Sequence, residues 1–150
     1  MSELRSTAQR KADVLNKLQN NGHAWLATAS QDGKPRLIAV SFWWTGKDLV
    51  ISTRTGTPTG RNLQETRAGR LAIGSQEDVI MIDAEAIEQF AAATARPDLR
   101  QGFIKAAGFD PAEEGSDWAF FSLRPYQIEA YRGYGELEGR VVMRHGEWRA

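Results

Sequence analysis

The apolar positions of this chain change period several times, and each change marks an element. Over residues 3 to about 20, Leu4, Ala8, Val14, Leu15 and Leu18 recur at roughly helical spacing before Asn20, Asn21 and Gly22 stop the pattern, which predicts an amphipathic leading helix. The runs "HAWLATAS" and "PRLIAVSFWW" then flank "QDGK", and Asp-Gly between two β-rich runs predicts a hairpin. "LVIST" follows "TGKD" as a third strand, giving an antiparallel meander from about 23 to 53. A short helix is expected near 59–66, then "RLAIGS" and "DVIMIDAEAIE" as strands joined through "QED". Residues 88–108 are Ala-rich with helical spacing and read as two short helices separated at Pro97. "FDPAEEGSD" is a loop by composition, and "WAFFSL", "YQIEAYRGYGEL" and "RVVMRHGEW" read as further strands with Gly-bearing turns. About seven strands with two or three helices and no regular βα alternation predict an α+β fold: an antiparallel domain or small barrel.

Composition narrows the chemistry. The length of 150 residues suits one domain, 1–150, with a single core. Lys plus Arg number 19 against 19 Asp plus Glu, so no global basic field gathers nucleic acid, and any anion site must be local. With no cysteine, disulfides, thiolate metal sites and thiol nucleophiles are excluded. No apolar run approaches the ~20 residues needed to span a bilayer, so a cytoplasmic protein without membrane contact is expected. The two histidines, His23 and His145, are not spaced as metal ligands, and no serine sits in a GxSxG setting, so neither a metal centre nor a serine hydrolase is expected. His23 opens a strand and His145 reads as a turn residue. Asp83, inside an apolar strand, needs a partner or a polar face.

The richest local chemistry is "VISTRTGTPTGRNLQET", residues 50–66, where a strand breaks into a hydroxyl-rich turn and restarts as a helix. Ser52, Thr53, Thr55, Thr57 and Thr59 offer hydroxyls, Arg54 and Arg61 offer charge, and the helix start offers N–H groups, which together describe a phosphate cradle. The same residues also describe a Thr-capped helix after a strand and nothing more.

The ordered series "LATASQDGKPRLIAVSFWWTGKDLVISTRTGTPTGRNLQETRAGRLAIG", resumed at "FFSLRPYQIEAYRGYGE" and "GRVVMRHGEW", resembles the pyridoxamine 5'-phosphate oxidase-like split-barrel flavoproteins, particularly the actinobacterial branch that binds FMN or the deazaflavin coenzyme F420. The resemblance implies a Greek-key split β-barrel of six to seven strands with an N-terminal helix. It also implies a homodimer with cofactor grooves at the interface, and hydride transfer to or from a small unsaturated substrate with no catalytic side chain. Carried over, Arg36, Leu37, Ile38, Ala39, Val40 and Ser41 run along the isoalloxazine ring, Ser52 and Thr53 lie beside the ribityl phosphate, and Arg61 contacts the phosphate ahead of Asn62 and Leu63. Phe42, Trp43 or Trp44, with Tyr126, Tyr131 and Tyr134 of a partner chain, would supply apolar walls. Where many relatives carry Lys three residues before that Asn, this chain has Thr59, so phosphate affinity rests on Arg61, Arg54 and the helix start. Arg outnumbers Lys 14 to 5, a bias that fits a GC-rich genome and favours the deazaflavin slightly. Two other readings remain: a non-catalytic protein that stores or sequesters the same cofactor, and a haem-binding relative, for which His23 is a poor ligand. A true pyridoxamine phosphate oxidase lacks a second basic cluster here, since "RPYQIEAYRG" supplies only Arg124 and Arg132.

Overall fold

The structure, a computed structural model, describes residues 4–150. Helix α1 (Thr7–Asn20) starts where the Ser6 hydroxyl accepts the Gln9 N–H, and it buries Arg10, Val14 and Leu18. The leading helix is present as expected, residue 3 lies outside the described residues, and one correction is needed: Leu4 and Ala8 are exposed while Arg10 takes the buried stripe.

Strands β1 (His23–Ala29), β2 (Pro35–Trp44) and β3 (Leu49–Arg54) form the expected meander. The β1–β2 turn closes through Gly33, whose φ of 86° is open to glycine, with the Gly33 N–H on the Ser30 carbonyl. Helix α2 (Pro58–Thr66) leads to β4 (Ala68–Ser75) and β5 (Asp78–Ala91). Next comes a single 3₁₀ turn (Ala92–Thr94), then α3 (Pro97–Ala107) and the long strand β6 (Trp118–Tyr131). The short strands β7 (Val141–Arg144) and β8 (Glu147–Trp148) finish the sheet. The strand order is β3-β2-β1-β4-β5-β6-β7-β8, and β3 also pairs with β6, so the first six strands close into an antiparallel barrel with β7 and β8 appended. Strand β6 pairs with β3 through Trp118–Leu123 and with β7 near Ile128 and Glu129, so its two halves serve different neighbours.

Two expectations give way here. Residues 88–91 continue β5 rather than opening a helix, and Pro97 begins α3 at its first turn, where a missing N–H breaks no bond. "WAFFSL" and "YQIEAY" are one strand: Pro125 sits opposite Ala84 at a register shift, where the ladder needs no N–H from it. The turn loop 109–117 holds one 3₁₀ turn, Pro111–Glu113.

Two apolar clusters result. Leu26, Phe42, Ile51, Leu63, Leu71, Ile82, Phe121 and Leu123 fill the barrel. Val50, Leu99, Phe103 and Phe120, with Trp43, Phe90 and Trp118 against them, bind α3 to the barrel's outer wall. Residues 92–117 therefore pack on the wall through their own aromatic core. Gly102 permits this contact, since a Cβ there would stand 2.5 Å from the Trp43 ring.

Candidate functional site

Strands β2 and β3 separate after a short common stretch. They pair only from Phe42–Ile51 to Trp44–Leu49; beyond that, residues 36–41 stay on β1 while 52–54 stay on β6. The Phe42 N–H donates to the Gly22 carbonyl at 2.9 Å, which makes 36, 38 and 40 the residues hydrogen-bonded to β1. The N–H and C=O groups of Leu37, Ala39 and Ser41 therefore point into the split. Their side chains lie on the outer sheet face, while Ile38 and Val40 turn inward against the core.

Helix α2 roofs one end of the split, and its placement follows from three residues. Gly60 lies so close to β3 that a Cβ would stand 2.3 Å from the Arg54 carbonyl oxygen. The buried Asn62 donates from Nδ2 to the Thr28 hydroxyl at 3.1 Å, tying the helix to β1. Leu63 inserts into the barrel core.

The turn before α2 is largely self-satisfied. The Thr57 hydroxyl accepts the Gly60 N–H at 3.2 Å and donates to the Arg54 carbonyl at 2.7 Å. Pro58 has no N–H, and the Arg61 N–H bonds to the Thr57 carbonyl. Thr59 is 2% exposed, so its side chain is packed away from solvent. The donors left for an anion are thus chiefly side chains. The Arg61 guanidinium is exposed and gives one bond, from Nη2 to the Gly56 carbonyl at 2.9 Å. Arg36 is exposed and has no ion-pair partner among the described residues. The hydroxyls of Ser52 and Thr53, each 7% exposed, make no side-chain hydrogen bond among the described residues. Arg54 is different, because its Nε lies 3.1 Å from Asp117 Oδ2.

The aromatic residues divide. Phe42 is fully buried in the barrel, Trp43 lies under Gly102, and Trp44 packs against the barrel core. Tyr126 and Tyr134 are exposed and Tyr131 half-buried. One apolar feature escaped the sequence reading: Trp25, 54% exposed, sits opposite Ala39 and Ala72 on the outer face, beside Leu37 at 63%. The strict alternation of "HAWLATA" was its signal, since burying Ala24 and Leu26 forces Trp25 outward. A shallow cavity of about 410 Å³ runs beside it, lined by His23, Trp25, Ala39, Ser41 and Ala72 among others. Asp83 finds its partner on the same face, in Arg70 at 3.2 Å.

The family described as Pyridoxamine 5'-phosphate oxidase matches residues 11–108. No curated protein matches the sequence. Among solved structures, one described as an F420 reductase superposes with a TM-score of 0.63 at 18% identity, covering 75% of this chain and 93% of that one. A heme binding protein from Mycobacterium smegmatis gives 0.67 at 21% identity, covering 97% of this chain, which spans 60% of that protein. HutZ, the heme storage protein from Vibrio cholerae, gives 0.60 at 17% identity, covering 83% and 96%. At these identities the likeness is one of fold.

Proposed function

Because the chain belongs to the pyridoxamine 5'-phosphate oxidase family of split barrels, we propose that the split between β2 and β3 binds a flavin or deazaflavin, FMN or coenzyme F420, and that the protein is an oxidoreductase acting on a small, flat, unsaturated substrate. The observation that carries this reading is the open edge of β2. Three consecutive outward-facing residues, Leu37, Ala39 and Ser41, direct N–H donors and C=O acceptors into one gap, matching the alternating polar edge of an isoalloxazine ring. The donor set fits the other end of such a cofactor as well: Arg36 and Arg61 offer charge, and of Ser52 and Thr53, which face opposite sides of β3, one offers a hydroxyl. Thr59 and Asn62 hold α2 in place rather than reaching a ligand.

When bound, such a ring supplies or accepts hydride. The chain's own residues bind, orient and shield: the β2 edge fixes the ring plane, and Arg36 and Arg61 anchor the phosphate. A second copy of the chain completes the site. The apolar outer face of Trp25, Leu37, Ala39, Ala72 and Met81 adjoins the split, and covering it would seal the groove from water. The dimer is thus part of the proposal, as is a cytoplasmic location.

The test is a titration of purified protein with FMN and with the deazaflavin, followed by Trp quenching and paired with size measurement by light scattering. One cofactor per chain in a dimer supports the reading, and binding of neither removes it. Hydride transfer to candidate acceptors separates turnover from storage. The haem-binding neighbours raise a second reading in which His23, lining the outer cavity, would hold a haem iron. A Soret band that His23→Ala abolishes would support that reading instead.

A further inference from the structure

The loop before β6 reaches the end of β3 beside the start of α2. Asp117 places its Oδ2 3.1 Å from Arg54 Nε, and its backbone carbonyl accepts the Thr55 N–H at 2.9 Å. Arg54 stands opposite Trp118 in the β3–β6 ladder, so Asp117 is fixed beside the strand end by both main chain and side chain. Arg54 shares a strand face with Ser52 and supplies the carbonyl against which Thr57 and Gly60 seat the start of α2. Arg54 is thus a basic residue of the β3–α2 corner, alongside Arg61, and a carboxylate occupies it.

Resting on the reading that a phosphorylated flavin binds in the split, we infer that Asp117 is a specificity-determining residue that holds Arg54 away from the cofactor's phosphate. A carboxylate and a phosphate compete for the same guanidinium, and the two anions repel one another across it. The ion pair is half-exposed, with the side chains 54% and 44% accessible, so a phosphate can displace Asp117 at modest cost. The groove as built therefore holds the phosphate through Arg61 and Arg36 alone, and its preference for a flavin with a phosphate over one without is smaller than three free guanidinium groups would give. Thr59, packed inward, contributes no compensating charge.

The experiment compares FMN with riboflavin, which shares the ring and lacks the phosphate, on wild type, Asp117→Asn, Arg54→Gln and the double variant. Should FMN not bind the wild type, the deazaflavin and its phosphate-free form replace the pair. Asp117→Asn should tighten FMN about threefold to tenfold and leave riboflavin unchanged. The gain should vanish when Arg54→Gln is added, and should shrink at ~1 M salt, where the Debye length falls to ~3 Å. Far-UV circular dichroism and melting of each variant confirm that the folds are equivalent. An Asp117→Asn variant that binds FMN no more tightly than wild type overturns the inference while leaving the flavin reading standing. Equal tightening of riboflavin overturns it too, because the loop would then be acting on the ring. If no flavin or deazaflavin binds any variant, the functional reading falls and this inference with it.

Discussion

At the α1 end of the barrel, Arg10 is 1% exposed and gives its guanidinium to the carbonyls of Arg5, Ala130, Glu136 and Glu138, whereas at the α2 end Arg61 is exposed and gives one bond to Gly56. The surroundings repeat the contrast. Around Arg10, the half-buried Arg5 binds both Asp13 and Glu136, and Glu136 also accepts the Arg132 N–H, so the charged groups beside Arg10 are paired with one another. Around Arg61, the edge of β2 lies open, and the largely buried Ser52 and Thr53 hydroxyls make no side-chain hydrogen bond among the described residues. Polar groups that are saturated by the chain specify its shape, and polar groups left unsaturated are available to something else. The first cluster pins α1 to the segment after β6. The second has the character of a site.

The largest effect expected from breaking this contrast is on the saturated side. Arg10→Ala leaves four carbonyls without their donor, at least two of them buried, and should lower stability by about 3–5 kcal/mol in urea denaturation. Arg10→Lys, with fewer donors, should recover only part of it. A loss below about 1 kcal/mol would mean that water replaces the guanidinium freely.

Acid should act on the same cluster. Hydrogen bonds from Arg5 hold the Glu136 carboxyl down at about 2, against an ordinary value of 4.5, with its burial opposing them and the Arg5 and Arg132 main-chain N–H groups assisting. A carboxyl depressed in the folded state contributes stability above its unfolded value and loses it as pH falls toward the folded one. Glu136 should thus contribute on the order of 2–3 kcal/mol at pH 7, lost between about pH 5 and pH 2. Denaturation midpoints of Glu136→Gln across that window should run flatter than those of wild type. Parallel profiles would place the acid sensitivity elsewhere.

On the unsaturated side the sign of the test reverses. Arg61→Ala should weaken FMN or deazaflavin binding by roughly 1.5–3 kcal/mol, the range for a hydrogen bond to a charged group, while thermal stability barely moves. An unchanged titration would remove Arg61 from the site.

The contrast also explains what the sequence could disclose. Asp-Gly in "QDGK", the stop at Asn21 and Gly22, and Thr57-Pro58 ahead of α2 are local signals, and each produced the element expected. The strand pattern left an antiparallel domain or a small barrel open, the family resemblance implied the split barrel, and the β3–β6 pairing closes it. Local pattern failed where tertiary contacts decide. Arg10 reads as a polar position on the helix surface, and only carbonyls from residues 130–138, more than a hundred positions away, make it a core residue. Pro125 reads as punctuation because its tolerance depends on a register shift opposite Ala84. Residues 88–91 carry Glu88 and Gln89 and look unlike a strand, yet they pair with Ser122 and Phe121 on a solvent-facing stretch.

For the proposed site, the sequence supplied candidate segments but not their geometry. Residues 36–41 and 52–54 lie on the two sides of the gap where β2 and β3 part. The Thr57 cap on α2 is local and was legible, whereas the burial of Thr59 depends on how α2 packs, and the placing of Asp117 on Arg54 depends on the path of the chain between β5 and β6. A residue 63 positions from its partner leaves no local trace.

The central claim is that the backbone edge of β2 is a binding surface, and Ala39→Pro tests it directly. The Ala39 N–H points into the split and takes no part in the β1 ladder, so its removal deletes a ligand donor while sparing the sheet. Titration of FMN and the deazaflavin into wild type and Ala39→Pro, with melting curves on both, is the measurement to make. The account predicts that wild type binds one of them and that Ala39→Pro loses affinity about tenfold, the value of one net hydrogen bond, with a melting temperature within a few degrees. Equal affinity in the two proteins, or binding of neither cofactor by wild type, would contradict it.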